Sequence, residues 1–263
     1  MPRYALEVAY DGTAFHGSQI QGDTATVQRS LNDAISTLLR RPVETYGASR
    51  TDEGVHALCN FYHFDAEESL NAHSAYQLNA ILPNTLGIRS IYQTAPDFNC
   101  RFDALSRRYR YRIYKRKNPF LHLRALHFPY KLDRAVLNQT AAILKEYTDF
   151  ETFSKRNAQT KTFKCSILQS YWEESGDELH YVVEANRFLR GMVRGLVGTQ
   201  LRAGRGKYGV DEFRRIVESG DCRQADFSPK GWGLYLEEIV FPKGMLTPLP
   251  PEGGDGFGNC RTT

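Results

Sequence analysis

The chain has 263 residues, of which 41% are hydrophobic and 24% charged, and its formal net charge is +4. This composition suits a soluble globular protein of one large domain or two small ones. No apolar run approaches the roughly 18 residues of a membrane-spanning helix, which excludes a protein that crosses the membrane by such helices. The net charge is too small to indicate a nucleic-acid partner by itself, so the distribution of charge has to decide.

The five cysteines and seven histidines are scattered along the chain, without a C-x-x-C pair or a metal-binding histidine motif. This spacing predicts neither a disulfide framework nor a metal site, and it is typical of free thiols in a reducing compartment. The N-terminal residues lead directly into a strand pattern without an apolar signal segment. We therefore expect a cytoplasmic protein.

Alternating and amphipathic patterns predict strands and helices that interleave along the chain in two similar halves. The first predicted helix has its N-cap at Thr26 and ends before Pro42. The sequence predicts an N-terminal α+β lobe over residues 1–98, a C-terminal α+β lobe over 99–243 and a disordered tail over 244–263. In chain order, the predicted strands are 4–10, 42–46, 57–64, 87–94, 106–115, 165–173, 180–185 and 234–241, and the later helices are 71–82, 136–146, 187–202 and 211–219.

A short polar segment at residues 46–57 lies between two predicted strands and places Asp52 beside an arginine and a threonine. A carboxylate in a loop held by a rigid scaffold is a common way to present a nucleophile or a base. Thr51 and Asp52 equally suit a turn that only links two strands, because such side chains bond to nearby backbone groups. The residues alone leave both interpretations open.

The predicted strand at residues 106–115 combines cations with aromatic residues. Its alternation puts Arg108, Arg110 and Arg112 on one face, about 6.6 Å apart, and Tyr109 and Tyr111 on the other. Such a row of cations attracts RNA phosphates through counterion release, which predicts an RNA-binding face. A solvated strand face is the alternative, and for Tyr111 we favour a place in the core.

The helix predicted over residues 187–202 carries a second group of cations. Arg187, Arg190 and Arg194 are spaced i, i+3 and i+7, which puts them on one stripe of a helix. The same segment contains three glycines at 191, 195 and 198, which lower helix propensity. We therefore predict that this helix packs closely against another backbone segment.

The motif R-T-D-x-G-V-H-A at residues 50–57 resembles the catalytic signature of the tRNA pseudouridine synthase A family. The resemblance extends over residues 4–242, nearly the whole chain, because further family motifs follow in the expected order. These are Y-D-G-T at 10–13 with G-S-Q at 17–19, T-V-Q at 26–28, R-F-D-A at 101–104, R-R-Y-R-Y at 107–111, N-R-F-L-R-G-M-V-R at 186–194 and G-L-Y-L at 233–236.

The resemblance implies an α+β fold of two similar lobes that share a mixed, mainly antiparallel sheet, with flanking helices and a central basic cleft. It implies that Asp52 is catalytic and that Arg194 is the cation which keeps it ionised. Tyr109 matches the active-site tyrosine of the family, which stacks on the base. Arg50 is implied to bind the RNA backbone or to help expel the base, in addition to the arginines predicted above from their spacing.

The activity implied by the resemblance is isomerisation of uridine to pseudouridine in the anticodon stem-loop of tRNA, at positions 38–40, by a homodimer. The reaction cleaves the C1′–N1 glycosidic bond and rejoins the base through C5. It involves no redox change and no group transfer to another molecule, so we expect no cofactor. The residues leave open whether Asp52 attacks C6, attacks C1′ or abstracts a ribose proton.

Three residues replace those of the family pattern, since Ser18 replaces Trp, Ser49 replaces Gly and Glu53 replaces Ala, and Trp232 lies within a segment before Gly233 that is usually compact. None of these changes removes a catalytic group. A catalytically silent RNA-binding or RNA-chaperone protein on the same fold is the main alternative, and the intact catalytic residues argue against it. A glycosidase needs a second carboxylate that faces the first, whereas the side chain of the adjacent Glu53 would diverge from Asp52.

Overall fold

The structure is a computed structural model that describes residues 1–71, 73–155 and 162–249. Its chain divides into two compact units, of which unit 1 is Met1–Leu105 with Leu236–Thr263 and unit 2 is Ser106–Tyr235. The described strands are β1 (Arg3–Tyr10), β2 (Tyr46–Gly47), β3 (His56–Asp65), β4 (Leu86–Thr94), β5 (Ser106–Tyr114), β6 (Leu126–His127), β7 (Ile167–Ser175), β8 (Glu178–Ala185), β9 (Leu234–Val240) and β10 (Thr247–Pro248), and the described α-helices are α1 (Val27–Leu39), α2 (His73–Ile81), α3 (Arg134–Ile143), α4 (Met192–Gly204) and α5 (Val210–Glu218).

Unit 1 is built on antiparallel strands in the order β10-β4-β1-β3, with β2 paired to the C-terminal half of β3. The central strand β1 has a hydrogen-bonded partner on each side, and it is buried along most of its length. Helix α1 begins where Thr26 accepts a hydrogen bond from the Arg29 backbone N–H at 3.3 Å. It ends at Arg40, which takes the left-handed conformation with a φ of 54°.

Unit 2 has the strand order β5-β8-β7, all antiparallel, while the short β6 runs parallel to β5. Gly176, with a φ of 59°, allows the tight turn between β7 and β8. Helix α3 packs on α4 and β7, and a Cβ atom at Gly204 would lie 2.8 Å from Leu137 Cδ2. The predicted α+β class and mixed sheet are confirmed.

The largest difference from the predicted elements is at the start of α4, which begins at Met192 and not at residue 187. Gly191 precedes it with a φ of 74°, so the chain turns there and becomes helical only afterwards. Arg187 and Arg190 therefore lie before the helix, and the prediction that they share a helical stripe with Arg194 is wrong.

The remaining differences concern short strands and boundaries. The predicted strand at 42–46 is reduced to β2, and β6 was not predicted because two residues carry no pattern. The unit boundary falls after Leu105, whereas the predicted boundary was after residue 98. In the tail predicted to be disordered, Thr247 pairs with Gln93 of β4, and residues 250–263 lie outside the described part of the chain.

Candidate functional site

Asp52 lies in the loop between β2 and β3, and the residue before it anchors this loop to the body of unit 1. Thr51 is buried, and its Oγ1 lies 2.8 Å from the hydroxyl of Tyr10 on β1. Its backbone N–H donates to Ser18 Oγ at 2.8 Å, and its carbonyl accepts from the Ser18 N–H at 3.0 Å. Asp52 itself is half-buried. The backbone next to the Asp52 carboxylate is therefore held by both Tyr10 and Ser18.

The hydroxyl of Tyr10 connects this anchor to β3. It accepts a hydrogen bond from Asn60 Nδ2 at 3.2 Å, and the same amide donates to the Ser49 carbonyl at 3.0 Å. Burial raises the pKa of Tyr10 to about 12, so the phenol stays protonated and its hydrogen is available to Thr51. Ser49 and Thr51, which both precede Asp52, are thus held by one polar network that is largely buried.

Two glycines let the N-terminal motif lie directly against the Asp52 loop. A Cβ atom at Gly12 would fall 2.0 Å from the Val55 carbonyl oxygen, so no other residue fits there without moving the loop. Gly17 has a φ of 92°, and its Cβ would lie 3.1 Å from the Thr51 carbonyl. This close approach explains why motifs almost 40 residues apart in sequence form one structural unit.

The three departures from the family pattern occupy defined places. Ser18 is buried and supplies the acceptor for the Thr51 N–H, while Ser49 contributes its carbonyl to the Asn60 amide. Glu53 is exposed, and its Oε1 lies 3.6 Å from Nδ1 of the exposed His16. The charge of Glu53 is therefore directed toward solvent and a histidine, and none of the three residues interrupts the anchor of Asp52.

In unit 2, Tyr109 points to the buried side of β5, as its position in the alternation predicts. It is 6% exposed, and its ring meets the ring of Phe188 edge-on, with centroids 5.0 Å apart. The core position expected for Tyr111 is confirmed, since it is fully buried and donates a hydrogen bond to the Lys230 carbonyl at 2.8 Å. Burial raises the pKa of Tyr111 well above its ordinary value.

Arg194, on the first turn of α4, holds the segment 226–229 against the helix. Its Nε donates to the Pro229 carbonyl at 2.7 Å and its Nη2 to the Phe227 carbonyl at 3.2 Å. A Cβ atom at Gly198 would lie 2.1 Å from the Asp226 carbonyl oxygen, so this segment touches the helix backbone. The close backbone neighbour predicted from the glycines is confirmed.

The three alternating arginines of β5 each have a glutamate partner in unit 2. The nitrogen–oxygen distances are 2.8 Å for Arg108 with Glu184, 2.5 Å for Arg110 with Glu173, and 2.7 Å for Arg112 with Glu178. These carboxylates offset the charge of the row before any RNA approaches it. RNA binding by the three arginines stays a prediction, and so does RNA binding by Arg187, which is half-buried, and by the exposed Arg190.

Two further properties of the described residues concern metal binding and membrane crossing. Nowhere in residues 1–71, 73–155 and 162–249 do three or more His, Cys, Asp or Glu side chains converge as they would around a metal ion. Among the described helices, none combines the length and the hydropathy that a membrane crossing requires.

Comparison with known proteins defines the class to which this fold and this loop belong. Residues 147–242 match the family model described as tRNA pseudouridine synthase. The tRNA pseudouridine synthase A of Parabacteroides distasonis is 39% identical over 248 residues, which cover 94% of this chain and 98% of that protein. The enzyme of the same name from Bacteroides thetaiotaomicron is 41% identical over 268 residues, which cover 97% of this chain and 100% of that protein.

This chain belongs to the tRNA pseudouridine synthase A family. It is accordingly an isomerase of the class that forms pseudouridine from uridine in tRNA. The motif at residues 50–57, the order of the later motifs and the family were all accessible from the sequence. The anchoring roles of Tyr10, Ser18 and Asn60 were not, because they depend on which strands lie side by side.

Proposed function

We propose that this enzyme isomerises uridine to pseudouridine in the anticodon stem-loop of tRNA, with Asp52 as the nucleophile or base. The observation that carries the proposal is the anchor of the Asp52 loop, in which Tyr10, Ser18 and Asn60 fix the backbone immediately before a half-buried carboxylate. A turn that only connected two strands would not need a buried network of this extent. A catalytic carboxylate does need one, because small displacements of a reacting group are costly in rate.

The reaction rearranges the atoms of one nucleotide and consumes no second reactant. The C1′–N1 bond breaks, the uracil turns, a C1′–C5 bond forms, and the hydrogen on C5 is released as a proton while N1 takes one up. The target nucleotide has to leave its stack so that its base can turn. Asp52 either adds to the base or the ribose and is later released, or removes and returns a ribose proton.

Tyr109 and Arg194 are the further catalytic residues of the proposal, and the family resemblance assigns them. The edge-on contact with Phe188 restricts the rotation of the Tyr109 ring, which suits a residue that has to present a flat surface to a base. The guanidinium of Arg194 is held by the two carbonyls at 227 and 229, which suits a cation of fixed position.

The direct test measures tritium released to water from tRNA that carries [5-³H]uridine. Transcripts with a single labelled uridine at position 38, 39 or 40 should release tritium, and a transcript labelled only outside the anticodon stem-loop should not. A catalytically silent RNA-binding protein is the second candidate, and it would bind the same transcripts without any release. Release from other positions alone would contradict the proposed target.

We also expect a cytoplasmic homodimer in which each tRNA touches both subunits. A globule of about 260 residues has a radius of gyration of only about 18 Å, so one subunit is small beside a tRNA. Basic surface on the second subunit would hold the tRNA body while the first holds the target nucleotide, and a dimer doubles the charge of +4. Sedimentation at micromolar concentration should give a dimer, and a monomer would contradict this expectation.

Removing the three arginines of β5 together with their glutamate partners should lower the salt dependence of tRNA binding. We compare the wild type with a sixfold variant in which Arg108, Arg110, Arg112 and the glutamates at 173, 178 and 184 all become glutamine. The net charge is unchanged, because three cations and three anions are removed. Each lost phosphate contact should reduce the slope of log K against log salt by roughly 0.7–0.9.

The sixfold variant is the informative one because replacing the arginines alone would leave three glutamates without their partners. Glu184 is 7% exposed, so an unpaired charge there would destabilise the sheet as well as alter binding. A wild-type slope for the sixfold variant would mean that these arginines serve the sheet and that the RNA lies elsewhere.

A further inference from the structure

Unit 1 contains a pocket of about 170 Å³ directly beside the Asp52 loop, and its lining has the character of an anion site. The wall includes Ser49 and Arg50, which precede Asp52 in the chain, and Arg101 and Phe102 from the segment after β4. The described residues that line it include two arginines and no aspartate or glutamate. The pocket therefore combines positive charge with an aromatic ring at its edge.

The two guanidinium groups are close enough to influence one another. The pKa of Arg50 is lowered, first by partial burial and second by the positive charge of Arg101. Both causes disfavour the charged form, and an anion placed between the two arginines would offset both. We therefore expect the pocket beside Arg50 and Arg101 to bind a ligand of negative charge, such as a phosphate group.

The segment that carries Arg101 and Phe102 is fixed by its own hydrogen bonds. Asn99 Oδ1 accepts from the backbone N–H groups of Arg101 at 3.0 Å and Phe102 at 3.3 Å, and Asp103 Oδ2 accepts from the Asn99 N–H at 2.7 Å. Phe102 nevertheless remains 75% exposed, with the Arg101 guanidinium 5.6 Å from its ring centroid. A large apolar ring presented to water on a fixed turn offers a stacking surface.

Other residues that line the pocket, among them Gln28, Gly47 and Tyr62, are held in place by the fold. The ring of Tyr62 packs on Gly47, where a Cβ atom would lie only 2.9 Å from the ring. Both ends of the Gln28 amide are engaged, with Nε2 donating to the Thr45 carbonyl at 2.6 Å and Oε1 accepting from the Ile20 N–H at 3.0 Å. The pocket is preformed, which reduces the entropy lost when a ligand binds.

We propose that this pocket holds the nucleotide adjacent to the target uridine, with its phosphate between Arg50 and Arg101 and its base stacked on Phe102. The proposal rests on the proposed function of Asp52. Arg50 and Asp52 are two residues apart, so their Cα atoms are separated by no more than about 7.6 Å. That distance suits neighbouring nucleotides of one strand. Binding of the neighbour would keep the strand open on one side of the flipped uridine.

The experiment measures tRNA binding in an Asp52→Asn background, so that a failure of the proposed catalytic role leaves the measurement intact. Arg101→Gln should reduce the slope of log K against log salt by roughly 0.7–0.9, as expected for one lost phosphate contact. Arg89→Gln is the matched control, because Arg89 is an exposed arginine on β4 that does not line the pocket. It should leave the slope unchanged. Equal slopes for the two variants would overturn the phosphate part of the proposal.

The stacking part is tested with a double-mutant cycle. Phe102→Ala should weaken binding about five- to hundredfold, the range found for loss of one base stack. A tRNA with an abasic site on one side of the target should bind the parent protein equally weakly and should lose nothing further with the Phe102→Ala variant. Abasic sites are placed on the 5′ and 3′ sides in turn. Independent losses on both sides would show that Phe102 does not meet a neighbouring base.

Discussion

Replacing Asp52 with asparagine should abolish pseudouridine formation and leave tRNA binding close to that of the wild type. The substitution keeps the size of the side chain but removes the charge and the basicity that the reaction requires. We expect a loss of rate on the order of 10⁴-fold or more, which corresponds to about 5.5 kcal/mol of activation free energy. Tritium release gives the rate, and filter binding gives the affinity.

Affinity should survive because phosphate contacts supply most of the free energy of binding to nucleic acid. The fold should survive because the loop is fixed mainly by Thr51 and by a backbone hydrogen bond from the Val55 N–H to the Asp52 carbonyl at 3.1 Å. An asparagine keeps that carbonyl. Circular dichroism and thermal unfolding of the variant should therefore match the wild type.

The adjacent Glu53 provides the matched control. Its side chain is 73% exposed, so Glu53→Gln removes a carboxylate from the same loop without touching the anchor. This variant should turn over at a rate within a few-fold of the wild type. If the Asp52→Asn enzyme kept wild-type turnover, or if Glu53→Gln were the inactive one, Asp52 would not be the catalytic carboxylate.

Local signals were enough to predict most of the secondary structure. Thr26 caps α1 as its side chain predicts, and the apolar alternation of β1 and β4 gave their positions to within one residue. The start of α4 was missed for a physical reason. The residues before Gly191 have helical spacing of cations, but the glycine takes a left-handed conformation that ends any continuous helix.

Interactions across strands could not be predicted from the sequence in the same way. The alternation correctly put Arg108, Arg110 and Arg112 on one face of β5, but it gave no indication of what that face meets. The pairing register places Glu184 directly opposite Arg108, and the other two partners follow from the order β5-β8-β7. A row of charge that looked available for RNA is thus paired within the sheet.

At the candidate site, too, the motif could be recognised in the sequence but the contacts that hold it could not. The motif containing Asp52 identified the family, yet the network that holds it depends on Gly12 lying against Val55 and on Ser18 lying beside Thr51. These pairs are separated by more than 30 residues. Sequence patterns of period two or four carry no information about such contacts, which depend on the antiparallel pairing of β1 with β3.

Arg194→Ala should reduce pseudouridine formation by on the order of 10²–10³-fold, the scale observed when one fixed donor is removed from an active site. It should change tRNA affinity much less than it changes the rate. The variant also loses two charge-assisted hydrogen bonds, to the carbonyls of Pro229 and Phe227. We therefore expect a lower melting temperature, with a loss of about 1.5–3 kcal/mol for each bond at most.

Arg194→Lys separates catalysis from stability. A lysine keeps the positive charge, but its single ammonium group cannot reproduce the planar fork that reaches the carbonyls at 227 and 229. Part of the lost stability should return, whereas turnover should stay well below that of the wild type. Full recovery of turnover would mean that only the charge at this position matters.

Arg202→Ala, eight residues further along α4, is the control for a general effect on the helix. Arg202 is exposed, and its guanidinium lies 5.8 Å from the ring centroid of Tyr208. This variant should keep the wild-type rate and lose little stability. Arg194 would be a structural residue alone if Arg194→Ala lowered the melting temperature while single-turnover tritium release, measured well below that temperature, proceeded at the wild-type rate.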